Sequence, residues 1–289
     1  MTRAFSVAAG VTLRAVQWSS PATHPHVPLV LVHGLASNAR LWDGPAREFV
    51  RRGHPVLALD LRGHGRSDRP DAGYDMATVA DDIAKVLGEL SADGWQRPLV
   101  LGQSWGGNLV VELAHRHADA LRGVVGVDGG TIELGTSFPD WSDCERLLAP
   151  PRLSGTPAEA LRERMCAMRP DWSQEAIDGA MCNMEVLADG TVRPWLTFER
   201  HMAVLRGLWE HRPSDLWPSI SVPVMFVSAL GEHLDATSEA KQVAVATAVA
   251  SLRNCRSVWF RPADHDLHAQ KPLEFAECIC NAIDEGFFP

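Results

Sequence analysis

The stretch Leu99-Val-Leu-Gly102-Gln-Ser104-Trp-Gly106-Gly107 decides the fold. A short apolar run ends at Gly102, and an amphipathic helical pattern begins directly after Ser104. A serine between two glycines at such a strand-to-helix junction is typical of a nucleophile elbow, a turn so tight that small residues are needed on both sides. The helix N-terminus favours negative charge at this point. Ser104 is therefore the candidate nucleophile, and the alternative is a chance pentapeptide at a glycine turn.

Further apolar runs lie on both sides of this turn, and amphipathic helical patterns separate them. Runs that are apolar on both faces are typical of strands buried between two helical layers. The runs cover residues 28–33, 55–60, 98–101, 123–128, 222–227 and 257–260, and segments 5–7 and 11–18 predict an opening hairpin. The sequence thus predicts an α/β fold with a doubly wound, mostly parallel sheet.

The segment 131–217 has a different character, because it contains no convincing strand. We expect helices over 156–168, 173–187 and 195–211, the first opened by a capping box from Thr156 to Glu159. Five of the ten Trp and five of the eight Met lie here. They either dock the helices or line an apolar pocket above Ser104. The sequence predicts a core of residues 1–130 and 218–289 and a helical cap (lid) domain of residues 131–217.

A serine hydroxyl needs a base to act as a nucleophile at neutral pH. Of the twelve histidines, His265 is placed best, since it follows the last predicted strand and precedes the final helix. His268 lies three residues further toward that helix. Four other histidines lie on predicted helices, where surface or packing roles are expected: His115, His117, His201 and His211.

His33-Gly34, the loop Asp60-Leu-Arg-Gly-His-Gly-Arg-Ser67, the serine elbow and His265 follow one another in that order. This combination resembles the α/β-hydrolase fold superfamily over essentially the whole chain, as a serine esterase-like member with a helical cap. The resemblance implies an oxyanion hole made by the backbone N–H groups of Leu35 and Trp105. It also makes the Asp60–Ser67 loop mainly scaffold, and we expect Asp60 to pair with Arg62.

The acid that orients His265 has three candidates. Members of the superfamily place it after the strand before the cap, which is Asp128 here, or after the next core strand, which leaves Asp235 and Glu232. Asp128 is the first choice from its spacing to Ser104, although it could simply cap the two glycines that follow it. Asp264 stands where the superfamily usually has Gly, and a carboxylate close to His265 would raise the pKa of the imidazole.

The resemblance and these residues imply a serine hydrolase that cleaves a carboxylic ester, or a related acyl bond, of a small and mainly apolar molecule through a Ser-His-Asp triad. Serine at the elbow argues against the dehalogenase and epoxide-hydrolase branches, whose nucleophile is Asp. Lactonase, thioesterase and amidase activities use the same residues. The alternatives are a carbon–carbon bond hydrolase, a cofactor-free lyase or perhydrolase, and a ligand-binding protein on the same scaffold.

Composition limits the partners. The net charge of −9 argues against nucleic acid, and no apolar run is long enough for a membrane span. None of the six cysteines forms a CxxC pair, so we expect reduced thiols, no metal site and a cytoplasmic location. No organic cofactor is implied, and the expected partner is a small-molecule substrate. The oligomeric state stays open.

Overall fold

The computed structural model describes residues 1–20 and 26–289. Its strands, in chain order, are β1 (Thr2–Ala8), β2 (Val11–Trp18), β3 (Leu29–Val32), β4 (Val56–Asp60), β5 (Leu99–Gln103), β6 (Gly123–Val127), β7 (Met184–Val186), β8 (Val192–Pro194), β9 (Val224–Ala229) and β10 (Cys255–Phe260). All but β7 and β8 form one sheet in the order β1-β2-β4-β3-β5-β6-β9-β10. β2 pairs antiparallel with β1 and β4, and the other neighbours are parallel. The predicted mostly parallel sheet is confirmed.

Helices connect and cover these strands. In chain order they are α1 (Asp43–Arg51), α2 (Met76–Ala92), α3 (Trp105–Arg116), α4 (Leu134–Ser137), α5 (Trp141–Leu148), α6 (Ala158–Met168), α7 (Gln174–Met181), α8 (Phe198–Glu210), α9 (Pro213–Leu216), α10 (Ala236–Ser251), α11 (Leu267–Gln270) and α12 (Pro272–Asp284). Within the described ranges, none of them combines the length and the apolar character needed to cross a bilayer.

The central strands are buried on both faces, as their continuous apolar character predicts. On β3, Leu31 belongs to a buried cluster that includes Phe275 of α12, whereas its neighbour Val30 belongs to a second cluster with Leu109 of α3. All four side chains are fully buried. Burying each such side chain contributes about 1.5–3 kcal/mol to stability. The two clusters hold the sheet between two helical layers, and the loops that follow the strands are attached to this packed core.

The segment between β6 and β9 contains α4–α9 and the antiparallel hairpin of β7 and β8. It includes the stretch 131–217 that the sequence predicts as a cap, and the status of that stretch as a separate domain stays a prediction. The expectation that it lacks strands is wrong. The helix predicted over 173–187 ends at Met181, because the chain goes on to form the hairpin. The turn between its two strands contains Asp189 and Gly190. Gly190 has a φ of +81°, and the Thr191 N–H donates to Asp189 Oδ1 at 2.9 Å.

The predicted capping box is also absent. The α6 helix begins at Ala158, with Pro157 at its N-cap and no side-chain cap. The backbone of Thr156 instead accepts a hydrogen bond from the Val192 N–H at 2.8 Å, which ties this end of α6 to the hairpin. The α8 helix begins three residues later than predicted, because the Thr197 hydroxyl caps it by accepting from the Arg200 N–H.

Candidate active site

Ser104 lies in a strained turn between β5 and α3, with φ of 53° and ψ of −117°. A positive φ in a non-glycine residue costs on the order of 1–3 kcal/mol, and such strain is concentrated at functional sites. A Cβ on Gly102 would lie 2.0 Å from the carbonyl oxygen of Gly106. A Cβ on Gly106 would lie 2.5 Å from the carbonyl oxygen of His33. The glycines on both sides of Ser104 are therefore required by backbone contacts.

The turn is held against the ends of neighbouring strands. The Ser104 N–H donates to the carbonyl of Val127, at the end of β6, at 2.9 Å. A Cβ on Gly129 would lie 2.2 Å from the Ser104 carbonyl oxygen, and one on Gly34 would lie 3.1 Å from the Ser104 Cβ. Ser104 thus sits between the loop that follows β3 and the loop that follows β6.

Asp128 and His265 form a close pair beside this turn. The Nδ1 of His265 lies 2.6 Å from Oδ2 of Asp128, whose side chain is only 1% exposed. The Ala229 N–H donates to Oδ1 of the same carboxylate at 2.9 Å. Gln103, the neighbour of Ser104, donates through Nε2 to the carbonyl of His265 at 3.2 Å. The fold thereby brings the histidine loop after β10 next to the elbow, over a separation of more than 150 residues.

The charges of this pair stabilise each other. Burial raises the pKa of Asp128, but the hydrogen bond and charge of His265 and the charge of Lys241 outweigh it and lower the pKa overall. For His265, burial lowers the pKa, whereas the hydrogen bond and charge of Asp128 and the charge of Asp266 raise it more, so the pKa is raised. The His265 side chain is 50% exposed. Since Nδ1 faces a buried carboxylate, the opposite edge of the ring is the accessible one.

The two other candidate carboxylates lie elsewhere. Asp235 is exposed and caps α10, where its Oδ1 accepts from the Ser238 N–H at 2.8 Å. Glu232 is also exposed, and its backbone carbonyl accepts from Arg261. Among the described residues, Asp128 is the carboxylate that hydrogen-bonds the His265 ring.

Asp264 does not act on His265 as the sequence suggested. Its carboxylate accepts from Trp172 Nε1 at 2.9 Å and pairs with Arg169 at 3.1 Å. Besides Asp128, the carboxylate whose charge raises the pKa of His265 is that of Asp266, two residues after Asp264. The Asp264 side chain therefore ties the histidine loop to the segment between β6 and β9.

Sequence reasoning missed Lys241 of α10. Its Nζ lies 2.9 Å from both carboxylate oxygens of Asp128 and 3.0 Å from the carbonyl of Ala229. The only available signal was compositional, because Lys occurs three times in a chain that otherwise uses Arg. Helical periodicity does not reveal such a contact, since most residues of α10 near Lys241 are exposed or only partly buried.

The structure places Leu35 and Trp105, the two residues expected to form an oxyanion hole, on either side of Ser104, and that role stays a prediction. Trp105 is the first residue of α3, and Leu35 directly follows Gly34, which touches Ser104. Within the described ranges, neither backbone N–H donates to another protein group. The loop carrying Leu35 is fixed by His33, whose Nδ1 donates to the Gly34 carbonyl at 2.7 Å while its Nε2 accepts from the Leu61 N–H at 3.0 Å.

The expected pairing of Asp60 with Arg62 is wrong. Arg62 donates through Nε to Asp82 of α2 at 2.6 Å, and both side chains are buried. Asp60 instead accepts backbone N–H groups from Ala39 at 2.8 Å and Arg66 at 2.9 Å. The reason is that the chain wraps around the Asp60 carboxylate and leaves Arg62 facing α2. The loop acts as scaffold for the segment that follows β3.

Within the described ranges, no other histidine hydrogen-bonds to the Asp128 carboxylate. His268 is buried against Trp42, with ring centroids 4.1 Å apart, and burial lowers its pKa to about 3. His211 is buried and contacts Glu112 at 3.2 Å. Burial lowers the pKa of His201 to about 4. These are packing positions, whereas His265 combines exposure with a buried carboxylate partner.

A cavity of about 830 Å³ lies between the loops after β3 and β4 and the segment that carries the β7–β8 hairpin. Of the Trp and Met residues predicted to line an apolar pocket, Trp195, Met165 and Met184 do so. Trp141 and Trp209 pack against each other instead, with ring centroids 5.8 Å apart. Three of these ten Trp and Met residues therefore line a cavity, whereas an apolar pocket directly above Ser104 stays a prediction.

The cavity adjoins the elbow without including it. Ala36, next to Leu35, and His64 belong to its wall, whereas Ser104 and His265 do not. The ring of His64 stacks on that of Trp105, the residue after Ser104, at a centroid distance of 5.4 Å. His64 therefore contacts both the cavity and the residue that follows Ser104.

Comparison with known proteins identifies the family. The model of the alpha/beta hydrolase family matches residues 29–278. A 2-(acetamidomethylene)succinate hydrolase from Mesorhizobium japonicum is 28% identical over 276 residues, which cover 89% of this chain and 88% of that protein. The AB hydrolase superfamily protein YisY from Bacillus subtilis is 34% identical over 93 residues, which cover 32% of this chain and 34% of YisY.

The same architecture is found among solved structures. The crystal structure of E-2-(acetamidomethylene)succinate hydrolase matches with a TM-score of 0.76 and 24% identity, over 98% of this chain and 99% of that one. At this identity the similarity shows the shared fold. Together with the family match over most of the sequence, it shows that the chain belongs to the alpha/beta hydrolase family.

Proposed function

We propose that the protein is a serine hydrolase that cleaves a carboxylic ester, or a closely related acyl bond, of a small molecule. The observation that carries the proposal is the 2.6 Å contact of His265 Nδ1 with the buried Asp128, beside a strained serine elbow. A carboxylate on Nδ1 selects the tautomer that leaves the other ring nitrogen free to accept a proton, and it stabilises the imidazolium that forms.

In this mechanism Ser104 Oγ attacks the substrate carbonyl while His265 takes the hydroxyl proton. The N–H groups of Leu35 and Trp105 hold the oxyanion that develops, and each such donor contributes on the order of 3 kcal/mol to the transition state. His265 then gives its proton to the leaving group. Water attacks the acyl-enzyme by the same steps and regenerates the serine.

A serine nucleophile suits acyl transfer in general, and a carboxylic ester is the simplest substrate of that class. A second candidate is another acyl bond, because the 28% identical relative is named for hydrolysis of 2-(acetamidomethylene)succinate. Both candidates use the same serine, histidine and aspartate. An ester panel together with N-acyl compounds of matched acyl group separates them by their kcat/KM values.

The experiment that tests the proposal is covalent labelling with a fluorophosphonate, followed by intact-mass measurement and peptide mapping. We expect one label per chain on Ser104, none in Ser104→Ala and full labelling in Ser251→Ala, whose serine lies on exposed helix α10. Folded protein that takes no label would overturn the proposal and favour a ligand-binding role. Labelled protein with lyase, perhydrolase or carbon–carbon hydrolase activity but no ester or amide hydrolysis would replace the reaction and keep the nucleophile.

A further inference from the structure

The cavity beside the elbow carries an excess of positive charge. Four arginines and two glutamates line it, in a chain whose net charge is −9: Arg69, Arg152, Arg193, Arg200, Glu185 and Glu199. His64 and His201 also belong to the wall, but burial lowers the pKa of both rings, so they are neutral at pH 7. The cavity therefore has two more positive than negative groups, in a protein that is acidic overall.

Two of these arginines are already engaged with carboxylates. Arg193 donates through Nε to Glu185 at 3.0 Å. Arg200 bonds the carbonyl of Pro70 at 3.1 Å and contacts Asp71 at 2.9 Å. With these two arginines set aside, the wall retains Arg69, Arg152 and Glu199, which is an excess of one positive charge.

Within the described ranges, neither Arg69 nor Arg152 forms an ion pair with a carboxylate, although Glu199 lies near enough to Arg152, and Glu185 to Arg69, for their charges to interact. The guanidinium of Arg69 lies 4.6 Å from the ring centre of Trp195, and that of Arg152 lies 4.7 Å from the ring centre of Phe198. Stacking occupies the face of a guanidinium and leaves its in-plane N–H groups available to bind a carboxylate in a bidentate manner.

Arg69 has a further unmet requirement. Its Nε is buried and has no hydrogen-bond partner, while one terminal nitrogen donates to the Gly65 carbonyl at 3.1 Å. A buried donor without a partner is costly, and a guanidinium donor more so. Burial, together with the nearby Arg200, Arg193 and Arg66, lowers the pKa of Arg69, although Glu185 opposes the shift. An anion beside the accessible part of the Arg69 guanidinium would balance its charge.

We infer that the cavity binds the carboxylate of an anionic substrate through Arg69, with Arg152 adding a second unpaired cation to its wall. The inference rests on the proposed function, because the bound molecule is the acyl compound that Ser104 attacks. The rest of the wall, which includes Trp195 and Phe198, would contact an apolar chain between the carboxylate and the scissile bond. The substrate class is then an ester or related acyl compound with a free carboxylate, rather than the apolar one that the sequence predicts.

Three matched esters test this inference. The mono-4-nitrophenyl ester of adipic acid carries a terminal carboxylate, its methyl ester has the same chain without the charge, and 4-nitrophenyl hexanoate has neither group. Charge-assisted hydrogen bonds contribute enough for about a ten-fold difference. We expect kcat/KM for the acid to exceed that for its methyl ester about ten-fold, mainly through KM.

Variants locate the effect. Arg69→Gln should remove the preference for the acid, so that the ratio of kcat/KM for the acid to kcat/KM for its methyl ester falls from about ten to about one. Arg69→Lys, which keeps the charge without the planar fork, should keep part of the preference. The control is Arg206→Gln, whose guanidinium stacks on Trp209 at 4.6 Å and lies outside the cavity lining.

The outcomes separate this inference from the proposed function. Equal rates for the acid and its methyl ester, with Ser104 labelled and hexanoate cleaved, would overturn the inference alone. No labelling and no cleavage of any ester would overturn the proposed function. Calorimetry of Ser104→Ala with adipate and with dimethyl adipate then tests the anion site without catalysis, and tighter binding of dimethyl adipate would overturn the inference too.

Discussion

The ammonium group of Lys241 lies 2.9 Å from both oxygens of the Asp128 carboxylate, and the same carboxylate lies 2.6 Å from His265 Nδ1. One buried carboxylate thus contacts both the lysine side chain and the imidazole. The charge of Lys241 lowers the pKa of both Asp128 and His265. It keeps the carboxylate ionised and opposes protonation of the base.

Replacing Lys241 by Met should therefore raise the pKa of His265. Asp128 and Asp266 would still favour the imidazolium, without the ammonium to oppose them. Since His265 accepts a proton only when neutral, kcat/KM rises with pH through this pKa, and the rising limb should move to higher pH. The pH profile of kcat/KM measures the shift. Lys241→Arg and Lys271→Met should leave the limb in place, and movement to lower pH in Lys241→Met would contradict the argument.

Replacing Asp128 by Asn should lower kcat by about 10⁴-fold with the fold intact, because an amide cannot hold the required tautomer or stabilise the imidazolium. Steady-state kinetics and circular dichroism measure the two effects. Asp235→Ala is the matched control: it should keep its activity and lose a little unfolding free energy, since Asp235 only caps α10. Glu232→Gln should change neither quantity. Full activity in Asp128→Asn would place the acid elsewhere.

Replacing Gly102 by Ala should reduce activity at least about 100-fold. The added Cβ would meet the Gly106 carbonyl oxygen at 2.0 Å, so the elbow must move, and displacements near 1 Å are costly at a catalytic centre. Gly88→Ala is the opposite case, because Gly88 lies exposed within α2 and its Cβ would meet nothing within 4 Å. That variant should gain about 0.5–1 kcal/mol of unfolding free energy and keep full activity. Urea denaturation and initial rates measure both variants.

Asp43 should make stability depend on pH. Burial raises its pKa to about 6, although Arg40 and Arg47 oppose the shift, and its Oδ1 is buried without a hydrogen bond. A raised pKa means that the folded protein binds this proton more tightly than the unfolded chain. The stabilisation is complete below pH 4 and is lost as the pH rises through 6.

Replacing Asp43 by Asn removes this dependence. The variant should gain stability relative to the unmodified protein as the pH rises from 4 to 7, by roughly 1–3 kcal/mol at the upper end. Urea denaturation at pH 4.5, 6 and 7.5 measures the trend. Asp189→Asn, at an exposed hairpin turn, is the control and should show no such trend. A gain for Asp43→Asn that is largest at low pH would contradict the assignment.

Much of the fold follows from local patterns. The continuous apolar run at β3 predicts a strand buried on both faces, because Leu31 and Val30 must each find an apolar layer. The elbow at Ser104 is equally local, since it depends on two glycines within two residues of the serine. The Asp189-Gly190 pair is a local hairpin signal of the same kind, and it forms the turn between β7 and β8.

The partners of the charged side chains were decided by the tertiary structure. Three carboxylates satisfied the sequence pattern for a partner of His265, and only the position of β6 beside β9 brings Asp128 against Ala229 and within reach of the histidine. Lys241 contacts the same carboxylate although it lies 113 residues further along the chain, and no hydrophobic periodicity in the sequence predicts this contact.

The sequence by itself therefore determined the sheet, the serine turn and the histidine loop, because backbone periodicity and small-residue turns are encoded within a few residues. The acid beside the histidine, the lysine behind it and the unpaired arginines of the cavity depend on distances between residues far apart in the chain. Those distances are set by strand order and packing, so only the tertiary structure decided them.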